Sequence, residues 1–142
     1  MLLKGGGASD NRGSLHFVND FTFDGVRRFY QIIHNNTGVI RAWQGHRVEY
    51  KYFYVAQGSF VVAWVPVDNW DNPSRDLVVE HCVLTGTEPA VLCIPPGYAN
   101  GLKALEPGSA LMVYSNLDLQ QSEKDRWSFD KSLWIDWNKF NA

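Results

Sequence analysis

Short runs of β-branched and aromatic residues, each closed by a turn signal, recur along almost the whole chain and leave no stretch for a helix of ordinary length. The runs are Ser14 to Val18, Val26 to His34, Val39 to Trp43, Glu49 to Ala56, Ser59 to Pro66, Leu77 to Leu84, Ala90 to Ile94, Gly101 to Leu105 and Ala110 to Tyr114. Between them stand Asn35-Asn36-Thr37-Gly38, Gln57-Gly58, Asp71-Asn72-Pro73-Ser74, Gly86-Thr87-Glu88-Pro89, Pro95-Pro96-Gly97 and Glu106-Pro107-Gly108, residues that supply the φ values and side-chain hydrogen bonds of turns. About nine strands at this spacing predict an all-β sandwich or barrel. With 142 residues the chain holds one such domain. Its first residues, with Gly5, Gly6 and Gly7 and turn chemistry through Gly13, read as a flexible lead.

Side-chain alternation predicts which residues face the core. In the run from Tyr50 to Val55, Lys51, Phe53 and Val55 share one face. If the two apolar residues point inward, so does Lys51, and a buried ammonium requires a partner or a cavity. Val61, Ala63, Val65, Leu92 and Ile94 are expected inward as well. Arg28 and Tyr30 fall on one face of their strand, Arg27 and Phe29 on the other. The tail from 119 onward mixes charges with Trp127, Trp134 and Trp137 and predicts a helical turn followed by a short strand. Three tryptophans are too large to stand exposed together, so they are expected to clamp the tail onto the barrel or a neighbouring subunit.

Thirteen Lys and Arg against fifteen Asp and Glu give a net charge of -2, which excludes the broad basic field of a nucleic-acid binder. No apolar run approaches the roughly 20 residues of a membrane span. The beginning of the chain lacks a signal-peptide core, so a cytoplasmic location is expected. Cys82 and Cys93 have no CxxC spacing and read as buried free thiols. Asn35-Asn36-Thr37 reads as a turn, and no GxSxG, P-loop, Rossmann glycine pattern or HExxH occurs. His16, His34 and His81 carry no motif and read as structural.

Two segments, Gly38-Val-Ile-Arg-Ala-Trp-Gln-Gly-His46-Arg-Val-Glu49 and Ile94-Pro-Pro-Gly97-Tyr-Ala-Asn100, resemble the two motifs of the cupin superfamily. The resemblance implies a jelly roll, the double-stranded β-helix. Metal-binding cupins surround a cation with HxH, a Glu and a further His. Here Gln44 stands for the first His and Asn100 for the last, leaving His46 and Glu49. Amides are weak ligands for transition metals, so no metal and no other cofactor is expected.

Asp10-Asn-Arg12-Gly13-Ser-Leu15, Val26-Arg27-Arg28-Phe29-Tyr30, Arg41-Ala-Trp-Gln-Gly-His46-Arg47 and Val55-Ala-Gln-Gly58-Ser-Phe-Val-Val62 look like the metal-independent cupins that act on nucleotide-linked 4-keto-6-deoxy sugars. Nearest are the dTDP-sugar 3,4-ketoisomerases, also called WxcM-like. The related dTDP-4-dehydrorhamnose 3,5-epimerases share a turn similar to Pro95 to Ala99. The likeness spans about residues 9 to 118 of a single cupin domain covering 1 to 142, with a Trp-rich tail over 119 to 142.

The resemblance implies an isomerase that moves a ketone from C4 to C3 through an enediol. Of the ketoisomerase Arg-Gly-x-His-x-His pattern the chain keeps Arg41 and His46 and has Gln44 for the first His. The epimerases place a base His at the position of Gln44 and a Tyr acid near Leu117 or Asp118, and both are absent. Lys51 matches their inward Lys, which stabilises the enolate oxygen. His46, Lys51 and Gln44 are the candidate catalytic residues, and Arg12, Arg28, Tyr30, Arg41, Arg47 and Asn100 the candidate substrate-binding residues. A nucleotide-sugar substrate and a homodimer are expected. An epimerase with a rearranged acid and base, and a non-catalytic sugar-nucleotide or carbohydrate binder, are the alternatives.

Overall fold

The computed structural model describes residues 1–140, and over them the predicted all-β architecture holds. The strands are β1 (Leu2–Lys4), β2 (Gly6–Asp10), β3 (Gly13–Phe17), β4 (Arg28–His34), β5 (Ile40–His46), β6 (Lys51–Gln57), β7 (Ser59–Pro66), β8 (Glu80–Thr85), β9 (Ala90–Ile94), β10 (Tyr98–Ala104), β11 (Ser109–Ser115) and β12 (Trp127–Ser128). One helix, α1 (Leu119–Glu123), precedes β12, as the tail predicted. Asp118 caps it, accepting from the Gln121 amide while the Gln121 side chain accepts from the Asp118 amide.

Two five-stranded antiparallel sheets face each other, one in the order β1-β9-β6-β11-β4 and the other β12-β5-β10-β7-β8. Between them lies a core of Phe53, Val55, Phe60, Val62, Leu84, Leu92, Ile94, Leu102, Leu111 and Val113. Strand β2 pairs only with β3, in a hairpin that projects from the sandwich with nearly every residue exposed.

The glycine-rich beginning is therefore ordered into β1 and β2, against the expectation of a flexible lead. Glycine has low strand propensity, but here it permits a close approach of two backbones. A Cβ on Gly5 would lie 2.0 Å from the Phe17 carbonyl oxygen.

A second correction concerns β7. Phe53, Val55, Leu92 and Ile94 point between the sheets as predicted, whereas Val61, Ala63 and Val65 are buried on the opposite face. There they pack with Trp43, Ala99 and Trp137, and it is Phe60 and Val62 that face the other sheet. A strand covered on both sides reads as continuously apolar, so alternation alone leaves its phase undetermined. The cover is the C-terminal tail. Trp137 is 3% exposed and packs its ring 5.3 Å from that of Trp43, and the Trp134 indole donates to the Ser74 carbonyl at 2.8 Å. The tryptophans clamp the tail onto the chain's own barrel.

Candidate active site

At one end of the sandwich a cavity of about 600 Å³ opens between the sheets. Strand β4 contributes Arg28, Tyr30 and Ile32, β6 contributes Lys51 and Phe53, β5 contributes Arg41, Ala42 and Gln44, and β10 contributes Asn100 and Leu102. Arg126, just ahead of β12, completes the rim. Register explains the grouping: Arg28 and Lys51 both pair with Ser115 of the strand between them, and Gln44 lies directly opposite Asn100. The pleat then aims Arg28, Tyr30 and Lys51 from one sheet and Gln44 and Asn100 from the other into one space.

Lys51 points inward as its alternation required, and it has a partner. Its Nζ donates to the Tyr30 hydroxyl at 3.0 Å and lies 5.7 Å from that ring's centroid, while Arg28 covers the same ring at 5.0 Å. A phenol that accepts from an ammonium still has its own proton to donate, so Tyr30 and Lys51 together form a donor pair in the cavity. The Asn100 amide nitrogen is buried without a partner.

Beside the cavity lies a buried polar network. Glu49, 1% exposed, accepts hydrogen bonds from Ser115 and Ser122, and from Arg28 Nη2 at 3.3 Å. Arg28 Nη2 also donates to Ser122 Oγ at 2.7 Å. The Asp125 carboxylate accepts from three successive amides, of Arg47, Val48 and Glu49, at 2.8, 2.9 and 2.7 Å, which pins the turn between β5 and β6. His46 lies two residues beyond Gln44 on β5, with its Nδ1 2.7 Å from the Asp125 carbonyl oxygen and 3.3 Å from Glu49 Oε1. Because a carbonyl only accepts, Nδ1 carries the proton and a neutral His46 keeps its lone pair on Nε2. That atom is enclosed and unpaired. Burial, followed by the charge of Lys51, holds the imidazole below its ordinary value of 6.5, against the opposing pull of Asp125 and Glu49.

No protein-family model matches the chain, nor does any curated protein sequence. Solved structures do. A dTDP-4-dehydrorhamnose 3,5-epimerase from Bacillus anthracis, with TDP and PPi bound, superposes with a TM-score of 0.76 over 96% of this chain and 83% of its own, at 18% identity. A His-to-Asn mutant of the 3,4-ketoisomerase QdtA from Thermoanaerobacterium thermosaccharolyticum, in complex with TDP-4-keto-6-deoxyglucose, gives 0.70 over 89% and 84%, at 19% identity. ChmJ, a 3'-monoepimerase from Streptomyces bikiniensis in complex with dTDP-quinovose, gives 0.78 over 99% and 76%, at 14% identity. The fold is a cupin jelly roll.

Within this jelly roll the structure gathers Lys51, Gln44, Arg28, Tyr30, Arg41 and Asn100 around the cavity and leaves three of the sequence candidates elsewhere. Arg12 stands on the exposed hairpin, its Nη2 2.6 Å from Asp10 Oδ2. Arg47 lies over the Trp70 and Trp127 rings at 5.8 and 5.6 Å, outside the sandwich. His46 sits behind the cavity lining rather than in it. Motif spacing places a residue on a strand or loop, but the path of the hairpin and the turn after β5 are tertiary matters.

Glu49, the other surviving motif position, faces the buried network. His46, Glu49 and Asp125 bring ligand atoms within 4.8 Å of one another, yet the two carboxylates already accept from three amides, two hydroxyls and a guanidinium. This donor set does not fit a metal ion, which would have to strip those bonds. The sequence reading missed Ser115, Ser122, Asp125 and Arg126. Nothing local marks their part in the site, since each reaches it through a partner 66 or more positions away or by facing the cavity.

One stability prediction follows. His34 and His46 are both held below 6.5, so on acidification the unfolded chain takes up protons before the folded one. Stability is full above about 6.5 and falls as pH drops below it toward the lowered folded values. Denaturant midpoints measured between pH 7.5 and 5 are expected to decline, and the decline is expected to shrink in His46→Asn.

Proposed function

We propose that this cupin is an isomerase of a nucleotide-linked 4-keto-6-deoxy sugar, moving the ketone from C4 to C3 through an enediol. The observation that carries the proposal is the convergence of Arg28, Arg41, Arg126 and Lys51 on one cavity that also presents Tyr30, Gln44 and Asn100. Such a lining suits a ligand with a diphosphate at one end and a hydroxylated ring at the other. The likeness to QdtA and to the epimerases, each solved with a thymidine diphosphate or its sugar, adds support at the level of the fold.

In this scheme neutral His46 takes the C3 proton on Nε2 while Tyr30, backed by Lys51, gives a proton to the C4 oxygen. The resulting enediol then loses its C3 hydroxyl proton back to that pair, and the His46 imidazolium returns a proton to C4. Atoms and charge balance without a cofactor. Gln44 and Asn100 hold sugar hydroxyls, and Arg41 and Arg126 hold phosphate. Ligand binding must uncover the His46 ring.

A second proposal, a non-catalytic sugar-nucleotide binder, is favoured by the enclosure of that ring, 3% exposed. Incubation with dTDP-4-keto-6-deoxyglucose in deuterated water, followed by NMR, separates the outcomes. Deuterium at C4 of a 3-keto product, and at C3 of the recovered substrate, is expected. Exchange at C3 and C5 means an epimerase, and binding without exchange means a binder.

We also propose that the protein works as a homodimer, though not for the reason the tail suggested, since its tryptophans are covered within one chain. The outer face of the β9-β6-β11-β4 sheet leaves Phe29 and Ile33 67% and 55% exposed. Beside them Phe21, Phe23, Tyr52 and Tyr114 form a continuous set of ring contacts. An aromatic face of this kind is expected to be buried between two copies. Light scattering should give twice the chain mass at micromolar concentration, and Phe29→Glu with Ile33→Glu should halve it.

A further inference from the structure

His34 reads as structural in sequence, and its place in the fold gives it a task. It closes β4, is 3% exposed, and its ring packs 5.4 Å from that of Phe60. Arg41 Nε donates to His34 Nε2 at 3.1 Å. A guanidinium can only donate, so the lone pair must be on Nε2 and the imidazole proton on Nδ1. Nδ1 is buried and has no partner. The ring thus leaves one donor unsatisfied in order to hold an arginine, which is a poor arrangement if its purpose were only to stabilise the fold.

Arg41 is the group that benefits. It lines the cavity, and its bond to His34 is the single hydrogen bond it makes among the described residues. The guanidinium is a rigid plane, so anchoring Nε fixes the direction of both Nη groups. We propose that His34 is the positioning residue of Arg41, a neutral acceptor that turns the free edge of the guanidinium toward an anionic group in the cavity, the diphosphate of the ligand proposed above. The inference rests on that ligand for its physiological meaning but not for its geometry.

Protonation would convert Nε2 from acceptor to donor, with a cation 3.1 Å away. Around the ring, β5 presents Arg41, β7 presents the Phe60 ring, and β11 presents Ser109 across the strand pair. Arg41 is the charged member of this set. Burial, and then Arg41, hold His34 below 6.5, so it is neutral at the pH where the bond is needed.

The test is calorimetric titration at pH 7.5 with two probes, dTDP-glucose and inorganic pyrophosphate. His34→Leu is expected to weaken both about fivefold to twentyfold, the scale of one charge-assisted bond. His34→Gln, which keeps an acceptor, should recover most of the loss. His34→Leu combined with Arg41→Ala should bind no more weakly than Arg41→Ala alone. Additive losses, or equal binding by His34→Leu, overturn the proposal.

If His34→Leu does not fold, the unaltered protein decides. The diphosphate diester of dTDP-glucose keeps its charge between pH 5 and 8, so its affinity must fall in step with the His34 titration followed by NMR, and flat affinity overturns the role. His34-dependent binding of pyrophosphate without binding of dTDP-glucose keeps the positioning role and removes the nucleotide-sugar proposal. Binding of dTDP-glucose that is indifferent to His34 does the reverse. Binding of neither probe removes both.

Discussion

Replacing His46 with Asn is expected to lower turnover of the 4-keto sugar about 10² to 10⁴-fold, the usual contribution of a positioned acid and base, while nucleotide affinity stays within a few fold. The substitution suits the site because Asn can still donate toward the Asp125 carbonyl that His46 Nδ1 meets at 2.7 Å. It removes the unpaired Nε2, which carries the lone pair of the neutral ring. In the unaltered protein the acid limb of the proposed reaction's rate profile should fall at a pH below 6.5, because burial and Lys51 hold the imidazole down. Lys51→Met and Tyr30→Phe should each lower turnover as well, since they remove the donors at the developing oxygen. Steady-state kinetics of the three variants checks the set, and unimpaired turnover by the His46→Asn variant would end the proposed shuttle.

Trp137→Ala is expected to destabilise the fold by about 3 to 5 kcal/mol, the range for truncating a large buried aromatic. Its indole packs on Trp43 and Phe140, and its Nε1 donates to the Lys131 carbonyl at 2.9 Å. The floor beneath it is Gly101, where an added Cβ would lie 2.6 Å from Trp137 Cζ2 and 2.7 Å from Ala42 Cβ. Gly101→Ala is therefore expected to destabilise too, and by less in the Trp137→Ala background, where the ring it meets is gone. Urea denaturation of the two single variants and the double variant measures this coupling. Additivity would show that the ring does not rest on Gly101.

How far the site was legible depended on the range of the interactions that build it. Strand alternation, which is local, turned Lys51 inward and put Arg28 and Tyr30 on one shared face, and the three line the cavity together. Gln44 and Asn100 were marked by motif position and stand opposite each other on β5 and β10. Asp125 could not be found this way. Its carboxylate is an acidic residue in a charged tail until the fold carries it to three amides about 77 positions earlier in the chain. Arg12 and Arg47 show the opposite failure, good phosphate-binding chemistry carried by segments that lead away from the cavity.

The nine central strands, their turns and the inward Lys51 were determined by the sequence alone, because β-propensity, turn chemistry and a period of two act over a few residues, while β1 and β2 were not. The tertiary structure decided which side of β7 meets the other sheet, since a strand apolar on both faces has no phase of its own until the tail covers one of them. It also decided which nitrogens of His34 and His46 carry a lone pair, because that depends on Arg41 and on the Asp125 carbonyl, groups that only the fold brings within hydrogen-bonding distance.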